Sequence, residues 1–314
     1  MSIRFASAAS AVALIAGFAS PAFAGETKEA DVAPVSETEE TAVALRAIEP
    51  IALDTASSAE DEPEFTIAGS ATLASDYRFR GVSQTDEGMA VQGGLTIKHT
   101  SGAYVGAWGS NLAGWGTFGG ANMELDIYAG YAMSVGEGTL DVGVTWFMYP
   151  SGADETDFAE LYAKLSGTAG PVGLTAGVAY APKQEALGNV FFTGAAAAAG
   201  APDNPGDKED NLYLFGDAVY GIADTPITLK AHIGYSDGNP GLGPNGTSVA
   251  PTGSYFDWSL GADFIPISGL TLSVAYVDTD ISAGDGAYLF PNFATLAGDE
   301  IADATVVFSI TASF

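Results

Sequence analysis

The feature that most constrains this chain is a two-residue alternation of apolar and polar side chains, which recurs in stretches of about ten residues from Thr66 onward. The last stretch shows the pattern most clearly: it alternates Ala304, Val306, Phe308, Ile310, Ala312 and Phe314 with Asp303, Thr305, Ser309, Thr311 and Ser313. Because successive side chains of a β-strand point to opposite faces of a sheet, this pattern predicts strands with one apolar and one polar face.

Twelve such stretches are found, and they begin near residues 66, 90, 103, 121, 139, 157, 171, 209, 226, 254, 268 and 301. Short turns follow the even-numbered stretches, the last of them at Ile265-Pro266, and longer connections such as 182–208, 237–253 and 281–300 follow odd-numbered ones. An even strand number with long loops on one rim and tight turns on the other is typical of a bacterial outer-membrane barrel. The sequence therefore predicts an all-β fold, a 12-stranded antiparallel transmembrane β-barrel with short periplasmic turns and longer extracellular loops.

Membrane physics favours the same fold. The interior of the sequence has no run of the roughly 20 apolar residues that a membrane-spanning helix needs. In lipid, a sheet satisfies all its backbone groups only when it closes on itself, and its apolar face must then point outward. Aromatic side chains near the strand ends fit the girdles of such barrels: Tyr131, Trp146, Tyr180, Tyr220, Tyr235 and Tyr276. A soluble β-sandwich with its apolar faces inward is the alternative that alternation alone does not exclude.

The first 64 residues have a different character. An apolar stretch after Arg4 leads to Pro21-Ala22-Phe23-Ala24, which predicts a cleaved signal peptide at residues 1–24, with an uncleaved membrane anchor as the alternative. Residues 25–64 contain 12 acidic and two basic side chains. Such a segment has too few apolar side chains to offset the conformational entropy that it would lose on ordering. These residues are predicted to form an acidic, disordered periplasmic tether, or a partner-binding segment, before a barrel of residues 65–314.

Composition excludes several classes of function. The chain has 10 Lys and Arg residues against 39 Asp and Glu residues, so a nucleic-acid partner is not expected. It has no cysteine, which excludes disulfide frameworks and thiol enzymes.

Four blocks of sequence are similar to a known family. They read SDYRFRGVSQT at residues 75–85, VQGG at 91–94, YVGAWGSN at 104–111 and ELDIYAGY at 124–131, and DTD at 278–280 and ADA at 302–304 continue the match. With these blocks the chain resembles the TorF family of outer-membrane proteins regarded as porins. The resemblance spans about residues 66–314 and implies an outer-membrane protein of pore type, without an established substrate or site residues. The acidic tether and the loop 182–208 are additions to the family pattern.

The polar faces supply the candidate pore residues. With the apolar face outside, parity along each strand directs these charged side chains into the lumen: Lys98, Glu124, Asp126, Asp141, Glu160, Lys164, Asp217, Lys230, Asp257, Asp263 and Asp303. Eight of them are acidic and three basic, and a narrow passage lined by one sign of charge concentrates counter-ions. We therefore expect a narrow porin that prefers cations and passes ions or small hydrophilic solutes. In the alternative, these carboxylates pair with lysine and arginine side chains and fill the interior.

Arg78 and Arg80 follow Asp76 at the long-loop rim and are candidates for a basic constriction or for a grip on an anionic solute or a lipopolysaccharide phosphate. Pairing with Asp76, Asp86 or lumen carboxylates is the structural alternative. The rival function is a non-conducting outer-membrane barrel with a structural or surface-interaction role, in contact with outer-membrane lipid and lipopolysaccharide. A lumen blocked by aromatic side chains would favour that rival; the bulky inward candidates are Tyr104, Trp108, Tyr128, Phe147, Tyr149, Phe158, Tyr162, Tyr213 and Phe215.

Catalysis and cofactors are not expected. The segment 234–238 matches the Gly-x-Ser-x-Gly nucleophile pattern, but that pattern requires a strand-to-helix turn and no helix follows it. Parity places His232 on the lumen side, away from lipid. Asp278, Asp280 and Asp285 lack the spacing of a calcium loop, so no metal site is predicted.

Overall fold

The structure is a computed structural model that describes residues 64–153 and 155–314. The predicted signal peptide at 1–24 and all of the predicted tether except Glu64 lie outside the described residues. The strands are β1 (Phe65–Ala74), β2 (Arg78–Phe79), β3 (Val82–Ser83), β4 (Ala90–His99), β5 (Ala103–Asn111), β6 (Met123–Val135), β7 (Gly138–Met148), β8 (Phe158–Ala169), β9 (Val172–Gln184), β10 (Glu209–Gly221), β11 (Ile227–Asp237), β12 (Ser254–Ile267), β13 (Leu270–Thr279) and β14 (Thr305–Ser313). Two short helices, α1 (Gly194–Ala198) and α2 (Ala283–Gly286), lie in the connections.

Twelve of the strands form one closed barrel. β1 and β4 to β14 pair antiparallel in chain order, and β14 closes the barrel by pairing with β1 from Ser70↔Ser313 to Ala74↔Ser309. The remaining strands, β2 and β3, pair only with each other. The predicted fold class is therefore confirmed.

The connections divide as predicted. Five tight turns join β4 to β5, β6 to β7, β8 to β9, β10 to β11 and β12 to β13. Six longer loops lie at the opposite end, and we number them loop 1 (75–89), loop 2 (112–122), loop 3 (149–157), loop 4 (185–208), loop 5 (238–253) and loop 6 (280–304). In outer-membrane barrels the short turns are periplasmic and the long loops are extracellular.

Two strand boundaries differ from the sequence prediction. β12 continues to Ile267, because the chain passes Pro266 through a register irregularity and turns only at Gly269, which has a positive φ of 74°. β14 begins at Thr305 instead of near 301. The residues before it belong to loop 6, where Ile301 and Ala302 are buried among loop side chains.

The outer face of the barrel is apolar. Leu260 is 62% exposed and Phe308 is 59% exposed, while the residues that alternate with them point inward and are buried. Among the predicted girdle residues, Trp146 and Tyr131 are also exposed. The apolar faces thus point away from the barrel interior, which is opposite to a soluble sandwich and is what contact with lipid requires. The predicted outer-membrane location agrees with this architecture. None of the helices in the described part of the chain is long and apolar enough to cross a membrane.

The interior contains a repeated packing motif in which an aromatic side chain covers a glycine of a neighbouring strand. The pairs are Tyr128 with Gly106, Tyr104 with Gly130, Tyr162 with Gly143, Phe215 with Gly177 and Tyr213 with Gly234. A Cβ at any of these glycines would overlap the ring or its hydroxyl. The glycines on the polar face of the strands therefore make room for large inward side chains.

The extracellular end is closed by a second hydrophobic core. It is built from loop residues and from residues at the mouth of the barrel: Val82, Trp115, Val190, Phe191, Leu242, Ala250, Tyr255, Ile281, Leu289, Phe293, Ile301 and Ala302. Since these residues come from loops 1, 2, 4, 5 and 6, these five loops form one packed cap over the barrel.

Candidate functional site

The barrel interior carries the candidate site. Ten of the eleven predicted lumen residues lie on barrel strands with their side chains directed inward. Nine of these ten are buried: Glu124, Asp126, Asp141, Glu160, Lys164, Asp217, Lys230, Asp257 and Asp263. Lys98, near the short-turn end of β4, is half-buried. Parity along the strands was thus sufficient to direct these charges into the interior.

Asp303 is placed differently from the prediction. It precedes β14, and its side chain is exposed at the level of the loops. Its backbone carbonyl accepts a hydrogen bond from Arg78 Nη1 at 3.2 Å. Because this contact holds loop 6 to loop 1, Asp303 lies two residues before the start of β14 and does not line the lumen.

Loop 1 folds into the outer half of the barrel and crosses its mouth. Tyr77 stacks edge-on against Trp108 of β5 and donates a hydrogen bond from its hydroxyl to Glu124 of β6 at 3.0 Å. Phe79 packs against Phe147 of β7. A Cβ on Gly81 would overlap Thr279 of β13, so this backbone lies directly against the far wall. Loop 1 therefore contacts much of the barrel circumference.

Arg78 fixes the base of this inserted loop. Its side chain is fully buried, and Nε pairs with Asp76 at 2.5 Å while Nη2 pairs with Glu87 at 2.8 Å. Nη1 donates to the backbone carbonyls of Gly81 and Ile301 at 3.1 and 2.8 Å. Asp76 also accepts hydrogen bonds from hydroxyl groups of loop 1. The guanidinium thus joins loop 1 to loop 6, as the pairing alternative for Arg78 describes.

Arg80 extends from the tip of the loop into the lumen. Its guanidinium is fully buried, donates to Glu160 of β8 at 2.6 Å and to the Asn211 side-chain carbonyl of β10 at 2.5 Å, and lies 4.2 Å from the centre of the Tyr213 ring. Carboxylate, amide oxygen and aromatic face are three groups that each favour a planar cation, and together they form the receptor for the Arg80 guanidinium. Arg80 and Arg78 therefore contact separate groups and do not form one basic constriction.

A second cluster surrounds His232 in the middle of the barrel. His232 Nδ1 lies 2.7 Å from Asp217 Oδ1, and Nε2 lies 3.1 Å from Asp257 Oδ1. The Tyr213 hydroxyl is 2.9 Å from Nε2 and donates to Asp257 at 3.1 Å. This network connects β10, β11 and β12 and is continuous with the Arg80 receptor through the Tyr213 ring.

Two lysine pairs lie nearer the short-turn end. Lys230 Nζ is 2.5 Å from Asp263 Oδ1, which also accepts a hydrogen bond from Ser273 at 2.6 Å. Lys164 Nζ is 3.8 Å from Asp141 Oδ2 and lies over the Tyr162 ring. The lumen charges are therefore largely paired with one another, as in the alternative interpretation of the sequence.

Negative charge remains in excess at the outer half of the lumen. Glu124, Asp126 and Glu160 are all 2% exposed or less, and Asp126 is within electrostatic range of the other two. Asp126 Oδ1 and Glu160 Oε1 accept no hydrogen bond among the described residues. Among the same residues, no group of three or more His, Asp or Glu side chains is arranged to hold a metal ion.

Sequence reasoning missed Asn211 and Tyr77 as members of this site. Asn211 lies on the polar face of β10, so parity along the strand predicts that its side chain points inward. It was missed because the candidate pore residues included only charged side chains. Tyr77 and the inward fold of loop 1 had no signal, since alternation describes strands only.

The remaining motifs have structural roles. Ser236 lies within β11, where Asn211 Nδ2 is 3.4 Å from its Oγ, and His232 contacts Asp217 and Asp257 instead. Asp280 accepts a hydrogen bond from the Phe256 backbone, and Asp285 caps α2. Hydrogen bonds from the Ser282 hydroxyl and backbone N–H lower the pKa of Asp285.

Comparison with solved structures finds outer-membrane barrels. The KdgM porin matches with 9% identity and a TM-score of 0.45, over 79% of this chain and 99% of the porin. An outer membrane channel of Pseudomonas putida F1 matches with 10% identity and a TM-score of 0.41, over 81% of this chain and 96% of the channel. These similarities are too low to transfer a function, and the barrel assignment rests on the strand pairing described above.

Sequence comparison gives a family. No curated protein matches the chain by sequence. A family model described as "Bacterial protein of unknown function (Gcw_chp)" matches residues 58–314, which include every strand of the barrel and all six loops. The chain therefore belongs to the Gcw_chp family of bacterial proteins.

Proposed function

We propose that the protein is an outer-membrane porin of narrow bore that prefers small cations, and that loop 1 closes its outer mouth in the conformation described here. The observation that carries this proposal is the charged interior. Seven buried carboxylates and two buried lysines face inward from the barrel strands, together with His232. Ionisable groups at membrane depth are costly and mark ion or solute pathways. A barrel that served only as an anchor would fill the same space with neutral side chains at lower cost.

The sign of the selectivity follows from the excess of carboxylates. Of the Lys and Arg residues that the structure describes, Lys98, Lys164, Lys230 and Arg80 extend into the lumen, against seven carboxylates. A passage of this charge attracts cations and repels anions. The likeness of residues 75–85 and 124–131 to the TorF family of presumed pore type supports the same function.

A second function is favoured by a specific observation. Eight of the nine bulky inward aromatics are 8% exposed or less, and the cap core covers the mouth. An interior so well filled is suited to a non-conducting barrel that presents its loops to lipopolysaccharide or to other surface partners.

Conductance of the refolded protein in a planar bilayer under a salt gradient separates the two functions. We expect small, infrequent openings with a reversal potential on the cation side, and a weaker cation preference in Asp126→Asn and Asp257→Asn. Asp224→Asn is the matched control, because Asp224 is exposed in the turn between β10 and β11 and outside the lumen. Its selectivity should equal that of the native protein.

Anion preference would contradict the proposed selectivity. A barrel that shows the heat-dependent gel mobility of a folded outer-membrane protein but never conducts would establish the non-conducting function instead.

A further inference from the structure

We infer that the lumen site now filled by the Arg80 guanidinium is a binding site for solutes that carry a guanidinium group, and that Arg80 is an internal occupant which such a solute displaces. The physiological role of this site rests on the proposed porin function, because the inference names the class of solute that the porin would pass. The binding site itself consists of side-chain contacts around the Arg80 guanidinium, and binding to it can be measured without conduction.

The contacts of Arg80 are those of a ligand in a pocket. Its guanidinium comes from a loop, whereas Glu160, Asn211 and Tyr213 come from barrel strands and are each 1% exposed. The pocket meets the guanidinium with three matching groups: a carboxylate at 2.6 Å, an amide oxygen at 2.5 Å and a ring face at 4.2 Å. An ammonium ion lacks the planar fork that these directions require.

The pocket has acceptors that Arg80 leaves unused. Within the described part of the chain, Glu160 Oε1 of β8 accepts no hydrogen bond, and neither does Asp126 Oδ1 of β6. Both carboxylates are 2% exposed or less. Buried carboxylate oxygens without donors are costly, so the pocket is able to accept further N–H groups. A free solute, which is not constrained by a loop backbone, can approach these oxygens from directions that Arg80 cannot reach.

The occupant is also held under backbone strain. Arg80 has a φ of 48°, in the left-handed region that non-glycine residues rarely adopt. Arg78 holds the base of the loop separately, through Asp76, Glu87 and the carbonyls of loop 6. Release of Arg80 therefore relieves strain at the tip while the base stays attached, which makes exchange with an external guanidinium feasible.

The test removes the internal occupant and supplies an external one. In Arg80→Ala, purified in detergent, methylguanidinium chloride at about ten times its Kd should raise Tm by about 3–5 °C relative to sodium chloride. Methylammonium chloride at the same concentration should raise Tm much less, because it has the charge without the fork. In Arg80→Ala combined with Glu160→Gln, the methylguanidinium effect should be lost.

Lys230→Ala is the matched control. It also removes a buried cation from a carboxylate, Asp263, but the other hydrogen bond of that carboxylate is from Ser273. No rescue by methylguanidinium is expected there. Equal stabilisation by methylammonium, or a methylguanidinium effect that survives Glu160→Gln, would overturn the inference.

The native protein supplies a second measurement that does not depend on the folding of a variant. Methylguanidinium should accelerate cleavage of loop 1 beside Phe79 and Val82 by a protease specific for apolar residues, since both side chains are buried while Arg80 is in place. Methylammonium should not. If neither salt changes the cleavage rate, Arg80 is a permanent structural residue. If the native protein binds methylguanidinium but does not conduct in the bilayer, the binding site is supported and the porin function is refuted. If the protein conducts but does not bind methylguanidinium, the porin function is supported and the binding site is refuted.

Discussion

Arg78→Ala is expected to release loop 1 from the barrel mouth and to destabilise the folded protein by about 3–5 kcal/mol. Arg78 is fully buried and its partner Asp76 is 6% exposed, so removal of the cation leaves a buried carboxylate without its counter-charge. The backbone carbonyls of Gly81, Ile301 and Asp303 lose their donor at the same time. Urea-induced unfolding in detergent measures the stability, and limited proteolysis within residues 75–89 measures the release.

Lys183→Ala is the control for this prediction. Lys183 pairs with Glu209 at 2.7 Å, but its side chain is 62% exposed, and exposed pairs contribute about 0–1 kcal/mol. A loss of stability in Arg78→Ala that is no larger than in Lys183→Ala would show that loop 1 is held in the lumen by its apolar contacts alone. Arg78→Ala, but not Lys183→Ala, should also raise the open probability in the bilayer if loop 1 is the obstruction.

The fold was predictable from the sequence because the membrane restricts the possibilities. Lipid on one side and a polar interior on the other force a period of two on every strand, so Phe308 and Ser309, or Leu260 and Ser259, are assigned to opposite faces by position alone. Eleven of the twelve predicted strand starts lie within two residues of the observed ones. The predicted start of β14 was too early because the apolar side chain of Ile301 packs in the core formed by the loops and does not face lipid.

The partners of the lumen charges were not predictable. Parity directs Glu160 inward, but its partner Arg80 is 80 residues away in a loop, and nothing in strand alternation encodes how a loop folds. His232 was placed in the lumen by the same parity, whereas its position between Asp217 and Asp257 depends on the register of three strands. Register is set by turn geometry and by packing, and the residues Ile265 and Pro266 show that a turn assigned from sequence can be displaced.

Gly234→Ala should disrupt the His232 cluster and cost about 2–4 kcal/mol, although it adds a single methyl group. A Cβ at Gly234 would overlap both the Tyr213 hydroxyl and Asp257 Oδ2, so the ring must leave the wall. Tyr213 then loses its hydrogen bonds to His232 and Asp257, and Arg80 loses the ring on which it stacks. Urea unfolding gives the stability, and near-ultraviolet circular dichroism reports whether the tyrosine environment is lost.

Gly216→Ala tests whether the loss of stability in Gly234→Ala comes from displacement of the Tyr213 ring or from the replacement of a strand glycine by alanine. Gly216 lies on the outward face of the adjacent strand β10, and the atoms nearest to its Cβ would be 3.8 Å away on Thr175 and 3.9 Å away on Ile233. Because alanine is generally better tolerated than glycine within a regular strand, Gly216→Ala should be neutral or slightly stabilising. If the two variants are equally stable, the Tyr213 ring moves freely away from β11, and the receptor around Arg80 is not the rigid site that its geometry describes. If Gly234→Ala is much less stable than Gly216→Ala, the aromatic lining requires a glycine at the inward position. The Tyr213 ring, which this glycine accommodates, then links the barrel wall to the Arg80 guanidinium of loop 1.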